Sequence, residues 1–203
     1  MLVLKEISQG SPAWFTEKLG KPSASKMDRI ITSTGLVSKQ AEGYMWELAA
    51  ERISGLPTPT YQSQAMLEGI EKEASGRELY EFIYDVEVEQ VGMIYQDECK
   101  RFLCSPDGII NREYGLEIKS VMPKTQVGYL LKNKLPTEYI VQVQSSMFIS
   151  DFSRWDFIST AEGLPPLIIK VARDNIFCSK LDTILNVFCD ELDEITAKLR
   201  GMR

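Results

Sequence analysis

The stretch Ser105-Pro106-Asp107-Gly108-Ile109-Ile110-Asn111-Arg112-Glu113-Tyr114-Gly115-Leu116-Glu117-Ile118-Lys119-Ser120 carries the most informative pattern of the chain. Asp107 follows a predicted strand, Lys100–Cys104, and opens a turn. Ten residues later Glu117 sits in a second apolar strand, Tyr114–Val121. Side chains alternate along a strand, so Glu117 and Lys119 share one face while Leu116 and Ile118 point to the other. A hairpin-like return of the chain brings Asp107 beside Glu117. Two carboxylates and a lysine then converge on one patch. The bulky apolar flanks mark a central strand, whose polar face has to be accounted for. Adjacent carboxylates repel unless a cation joins them, and hard oxygen ligands suit Mg²⁺ or Mn²⁺. Spacing alone equally allows an exposed strand face with an ordinary Glu–Lys pair.

Outward from this stretch the pattern alternates between helix and strand. Ala41–Ser54 reads as a helix with Tyr44, Leu48 and Ile53 inward, stopped by Gly55 and followed by a turn-rich loop, Leu56–Tyr61. Gln64–Tyr84 reads as a second helix with Met66, Ile70, Leu79 and Ile83 inward. Val86–Ile94 alternates and predicts a strand. Helices are predicted over Gln126–Lys134 and Thr137–Phe148, separated by Pro136. Strands follow over Arg154–Thr160 and Leu167–Val171. From Lys180 to Leu199, Leu181, Ile184, Leu185, Phe188, Leu192, Ile195 and Leu199 recur at helical spacing. The order implies an α/β fold, a mixed central sheet flanked by helices, in a single domain spanning residues 1–203.

Composition narrows the chemistry. The 203 residues are 44% hydrophobic and 26% charged, which suits a soluble globular domain with its own core. No apolar run approaches the ~20 residues of a membrane span, and the opening Met1–Trp14 does not read as a signal peptide. Four scattered cysteines, Cys99, Cys104, Cys178 and Cys189, read as reduced, mostly buried thiols of a cytosolic protein. There is no histidine. That excludes Ser-His-Asp and Cys-His triads, HExxH metalloproteases and nucleases that use histidine as base or ligand. Acid–base chemistry near neutral pH then falls to carboxylates, lysine, tyrosine, cysteine or metal-bound water. The net charge is −6 and the pI about 4.9. An acidic chain is not by default a nucleic-acid binder, but a basic groove can sit on an acidic body.

Pro106-Asp107 followed by Glu117-Ile118-Lys119 resembles the PD-(D/E)xK nuclease signature. The surroundings are more specific. Gln142-Val143-Gln144 resembles the QxQ element of the lambda-exonuclease, or YqaJ-type, branch. Gly69-Ile70-Glu71-Lys72-Glu73 resembles that branch's helix motif. Ala13-Trp14 with Leu19-Gly20-Lys21-Pro22-Ser23-Ala24-Ser25 resembles its opening element. The elements stand in the family's order.

The resemblance implies a restriction-endonuclease-like core and an Mg²⁺-dependent exonuclease, with Mn²⁺ as the alternative metal and no zinc. It implies 5′→3′ degradation of linear double-stranded DNA to 5′-mononucleotides, leaving a 3′ single strand for phage-type homologous recombination in the cytoplasm of a bacterial host. Asp107, Glu117, the Ile118 carbonyl and Glu73 would be metal ligands. Lys119 would hold or activate the attacking water, and Gln142 would fix Lys119 or that water. Without the resemblance, Glu73 is one charge on a solvated helix face. Lys18, Ser25 and Ser105 match the family's 5′-phosphate pocket; the family's arginine is Lys18 here, a point charge that cannot make a bidentate phosphate contact. A second family arginine falls near Lys124-Thr125, where this chain has none. Ser23 and Ser25 also read as N-caps of a following turn. The partners implied are DNA ends, a homotrimeric ring of the chain itself and a single-strand annealing protein, with no membrane.

Other readings stay open at this point. One is a structure-specific or restriction-type endonuclease of the same superfamily, and another is a catalytically inert DNA-binding protein on the same fold. Iron–sulfur relatives carry one cysteine upstream and a close set downstream. Here two lie upstream and the downstream pair is eleven apart, which argues against a cluster.

Overall fold

Hydrogen bonding sorts the chain into two sheets and six α-helices among the described residues. The structure, a computed structural model, describes residues 1–58 and 64–202, with side chains for 1–58 and 73–202. Met66 and Ile70, expected to face inward, and Gly69–Lys72 of the helix motif lie outside the described side chains, as does the end of the Leu56–Tyr61 loop.

The first sheet pairs β1 (Leu2–Leu4), β2 (Met93–Tyr95) and β3 (Leu103–Cys104) antiparallel. The second has the order β4 (Gly108–Ile110), β5 (Tyr114–Ser120), β6 (Arg154–Thr160) and β7 (Leu167–Ala172). Its β5–β6 pair is parallel and the other two pairs are antiparallel, so the sheet is mixed. The helices are α1 (Pro12–Lys18), α2 (Ala41–Ser54), α3 (Gln64–Tyr84), α4 (Pro123–Lys132), α5 (Thr137–Ser150) and α6 (Asn175–Arg200). A 3-10 turn covers Ala24–Arg29.

The main core lies where α2, α5, α6 and the 3-10 turn meet, around Met27, Ile30, Leu48, Met147, Leu181, Phe188 and Leu192. Tyr44 of α2 stacks on Phe188 of α6, centroids 6.1 Å apart. A second cluster sits between α3 and the second sheet, with Tyr80 against Leu116, Ile118 and Ile158. On α3, Tyr80 is buried, whereas Ile83, expected inward, is 43% exposed. The inward stripe of α3 is thus aromatic and polar as well as aliphatic, which the aliphatic spacing did not show.

The expected strand Lys100–Cys104 is reduced to β3, which joins the first sheet, and α4 and α6 begin at Pro123 and Asn175, earlier than the spacing predicted. Two further differences bear on the site. Val86–Ile94 is not one strand. Glu89 exchanges both backbone hydrogen bonds with Ile109, at 2.8 and 2.9 Å, whereas Met93–Tyr95 pairs with β1. The alternating run is divided between two sheets. The supposed turn Pro106–Gly115 contains β4, and the turn itself is Asn111–Glu113. Asn111 and Arg112 take left-handed backbone, φ 52° and 60°, and the Glu113 N–H closes on the Ile110 carbonyl at 2.9 Å. Two successive positive-φ residues suit the twist of a tight hairpin.

Two glycines allow close approaches on the two faces of β5. A Cβ on Gly76 would lie 2.6 Å from Ile118 Cγ2, so α3 can sit on β5 only without one. A Cβ on Gly115 would run into the six-membered ring of the fully buried Trp155. Overpacking of this kind typically costs about 1–3 kcal/mol. Gly115→Ala should therefore lose stability in that range in urea unfolding, while Gly128→Ala, whose Cβ meets nothing within 4 Å, should not.

Candidate active site

Asp107 and Glu117 come together because the hairpin register places Gly108 opposite Leu116. The Asp107 N–H donates to the Leu116 carbonyl at 3.1 Å. Two residues further along β5, the Ile118 N–H donates to Asp107 Oδ2 at 2.5 Å. Glu117 and Lys119 share the opposite face, as alternation requires, and Lys119 Nζ lies 2.6 Å from Glu117 Oε1. Glu117 is 2% exposed, a burial that an unpaired carboxylate would not tolerate.

Helix α5 supplies the cover for that face. Gln142 Nε2 donates to Glu117 Oε1 at 2.5 Å, so the glutamine holds the carboxylate rather than Lys119. Gln144 points elsewhere: it donates to the Ala172 carbonyl at 3.0 Å and accepts from the Asp174 N–H at 2.8 Å. Tyr139, one turn before Gln142, lies under Lys119, with Nζ 5.7 Å from the ring centroid. Sequence reasoning missed Tyr139, although its i, i+3 spacing to Gln142 is the signal that finds it.

Helix α3 brings Glu73 to the same group. Burial pushes the Glu73 carboxyl up, with Lys119 opposing and Glu117 adding to the rise. Burial and the Glu117 charge push Asp107 well above the usual aspartate range, only partly offset by Lys119. Burial alone would lower Lys119, but Glu117 and Asp107 outweigh it and hold the ammonium above the usual lysine range. Four groups in mutual electrostatic reach, three acidic and one basic, thus form the centre. Glu73 and Asp107 also line a cleft of about 430 Å³ with Lys5, Gln9, Arg77 and Gln90.

The donor set suits a hard divalent cation. Among the described residues no three acidic, cysteine or histidine side chains form a ready cage. The reason is visible in the partners: Glu117 Oε1 is taken by Lys119 and Gln142, and Asp107 Oδ2 by Ile118. Mg²⁺ needs only one or two carboxylates, completing its shell with water and substrate phosphate. Asp107 Oδ1 and Glu117 Oε2 accept no hydrogen bond from the described residues and remain for such an ion.

The second group of expected residues gathers around Trp14. Its Nε1 donates to the Gly92 carbonyl at 3.1 Å and to Ser105 Oγ at 3.2 Å. Lys18 Nζ lies 4.5 Å from the centroid of its ring. Ser23 bridges Leu103 in parallel, so the chain runs from there toward Ser25 on one side and Ser105 on the other. Ser25 is exposed, and its Oγ is 3.3 Å from Ser23 Oγ. Ser23 makes no side-chain cap to the 3-10 turn, so the capping expected of it is absent. Lys124, near the missing second arginine, is exposed in the first turn of α4.

A mixed sheet that aligns an aspartate, a Glu-x-Lys pair and a helix glutamine defines the PD-(D/E)xK class of phosphodiesterases. The profile of the YqaJ-like viral recombinase domain matches residues 13–153. The chain belongs to that family and is a DNA-hydrolysing nuclease with a role in recombination. It is similar to the alkaline exonuclease LHK-Exo of Laribacter hongkongensis, at 26% identity and a TM-score of 0.84 over 95% of this chain and 97% of the other. The same figures hold for that exonuclease in complex with dAMP. A phage-related exonuclease from Haemophilus somnus 129PT shares the fold, at 13% identity and a TM-score of 0.68 over 88% of this chain and 96% of the other. Among curated proteins no sequence relative matches. No helix among the described residues is long and apolar enough to cross a membrane.

Lys18 gives the site a pH signature. Burial lowers its ammonium to about 8, with nearby Lys26 adding repulsion and Glu51 offsetting part of it. The folded protein therefore releases this proton before the unfolded chain does. The burial penalty is full below pH 8 and fades as pH rises toward the ordinary lysine value of about 10.4. Lys18→Met should be more stable than wild type at pH 7, and urea unfolding across pH 7 to 10.5 should show that advantage shrinking.

Proposed function

We propose that the chain is an Mg²⁺-dependent 5′→3′ exonuclease that degrades linear double-stranded DNA to 5′-mononucleotides. The observation that carries this reading is the junction of Asp107, Glu117, Lys119 and Gln142 on one hairpin and one facing helix. Asp107, Glu117, the Ile118 carbonyl and Glu73 would hold the ion, with Mn²⁺ able to replace Mg²⁺. Bound metal supplies charge neutralisation at the scissile phosphate and lowers the pKa of a coordinated water. Lys119 stays protonated between its two carboxylates, so its part is to hold the attacking water and offset phosphate charge. Gln142 and Tyr139 keep that ammonium and Glu117 in place. The dAMP complex of LHK-Exo supports a deoxynucleotide as the released product.

Lys18, Ser25 and Ser105 are the proposed seat of the terminal 5′-phosphate. Lys18 forms no salt bridge among the described residues, Glu51 offsets only part of its burial penalty, and it shares Trp14 with the Ser105 hydroxyl. An anion at such a cation gains a charge-assisted contact. The proposed assembly is a ring of three chains around DNA. With a net charge of −6, one chain has little nonspecific grip on a polyanion, since phosphate neutralisation supplies most of that affinity. A closed ring retains DNA topologically. The resulting 3′ single strand would pass to an annealing protein.

Four measurements test these readings. Asp107→Ala, Glu117→Ala and Lys119→Ala should each lower nucleotide release by about 10³-fold or more, as loss of transition-state charge stabilisation does, with the fold intact by circular dichroism. Full activity in a folded Asp107→Ala protein would end the metal-site reading. Duplexes with and without a 5′-phosphate should be degraded at different rates by wild type and at more equal rates by Lys18→Ala. Closed circular DNA should resist. In solution the mass should correspond to three 23.0 kDa chains.

A further inference from the structure

Two consecutive peptide carbonyls of the signature segment are pinned by side chains that belong to no motif. Gln9 Nε2 donates to the Val91 and Pro106 carbonyls at 3.0 and 2.7 Å. Arg77 Nε and Nη2 both donate to the Asp107 carbonyl, at 3.3 and 3.2 Å. The amide of Gln90, oriented by its hydrogen-bond network, accepts from Nη2 and Nη1 of the same guanidinium at 2.7 and 2.5 Å. Arg77 lies one turn beyond Glu73 on α3, and both line the cleft that Asp107 closes.

On this basis, and resting on the reading of Asp107 and Glu73 as metal ligands, we infer that Arg77 is a positioning residue that sets the spacing of those two carboxylates. Three groups of Asp107 are held: its N–H by the Leu116 carbonyl, its Oδ2 by the Ile118 N–H, and its carbonyl by the two donors of Arg77. The first two tie it to β5. Only the third ties it to α3, the helix that carries Glu73. The planar fork of arginine grips the carbonyl with one edge while Gln90 holds the other, so the peptide plane after Asp107 cannot rotate without displacing both. Lysine has no second edge to offer.

A purely mechanical role, stapling α3 to the sheet, is already filled elsewhere. Tyr80 donates to the fully buried Asp156 at 2.6 Å, and Gly76 seats the helix on Ile118. Arg77 differs from these contacts in acting directly on the backbone of Asp107. Residues that orient metal ligands from outside the coordination sphere typically change metal affinity about 10- to 100-fold when removed.

The test is Mn²⁺ titration of the DNA-free full chain by calorimetry, for wild type, Asp107→Ala, Arg77→Met, Arg77→Lys and Tyr80→Phe. Arg77→Met should bind Mn²⁺ about 10- to 100-fold more weakly, with the Mn²⁺ concentration for half-maximal nuclease activity shifted in step and the rate at saturating Mn²⁺ largely restored. Arg77→Lys, which keeps charge and length should the methionine variant misfold, should also bind more weakly than wild type. Tyr80→Phe should lower the melting temperature without moving Mn²⁺ affinity. If both folded Arg77 variants bind Mn²⁺ as wild type does while Asp107→Ala does not, the positioning role is wrong and the metal site stands. If Asp107→Ala binds as wild type, the metal reading falls, and the inference with it.

Discussion

The hydrogen bond from the Ile118 N–H to Asp107 Oδ2, 2.5 Å long, is the constraint from which the site's arrangement follows. It joins the side chain of one end of a hairpin to the backbone of the other. The bond exists because the turn is short and both of its central residues accept left-handed backbone. Once Ile118 is held in this register, strand alternation leaves Glu117 and Lys119 no choice of face. The Ile118 side chain must then point to α3, where it meets Gly76. A one-residue slip of β5 would turn Glu117 and Lys119 into the apolar cluster around Tyr80, at the cost of burying charge without partners.

The sheet thereby becomes a partition served from both sides. On one side α5 presents Tyr139 and Gln142 at i, i+3 spacing to Lys119 and Glu117. On the other, α3 presents Glu73, Gly76, Arg77 and Tyr80 in succession, one for charge, one for proximity and two for anchorage. The anchorage of Tyr80 runs deeper than a single bond. Asp156 also accepts from Arg154 Nε and Nη2 at 2.7 and 2.5 Å, and the Arg154 guanidinium lies 4.0 Å from the Tyr114 ring centroid. This buried ion pair satisfies its own charges, which is the condition under which burying them is tolerable. It stands next to β5, so the strand bearing the signature is braced at its start as well as at its centre.

What was legible in the sequence was local. The strand Tyr114–Ser120, the helix Gln64–Tyr84 and the helix Ala41–Ser54 lie where period and flanking residues put them, and the pairing of Glu117 with Lys119 follows from a period of two. The failures share one cause, contact between residues distant in sequence. Val86–Ile94 opens on an alternating Val-Glu-Val-Glu, yet Glu89 answers to Ile109 and Ile94 to Val3; nothing within nine residues says that two sheets will divide them. Gln9 and Arg77 reach the signature segment across 97 and 30 positions, and a glutamine in a loop or an arginine on an acidic helix looks like any surface residue until the fold is known. Gln142 and Gln144 show the same limit at short range. They are two apart on one helix, and only their partners reveal that one serves Glu117 while the other joins β7 to α6.

Lys18 and Lys119 show how one residue type comes to two electrostatic conditions. Both are half-buried, and each lies near an aromatic ring, Trp14 and Tyr139 respectively. Desolvation acts on both in the same direction, toward the neutral amine. Beside Lys119 stand Glu117 and Asp107, and they reverse the effect. At Lys18 the cation Lys26 adds to desolvation, Glu51 offsets only part of it, and desolvation wins. A lysine held between carboxylates in this way stays cationic. A lysine that has lost its water and is only partly compensated by a carboxylate keeps a net desolvation penalty. Folding leaves that penalty standing as a stability cost below the folded-state value of about 8. One residue type thus reaches opposite electrostatic conditions in one fold, according to whether its neighbours supply enough negative charge to outweigh the loss of water.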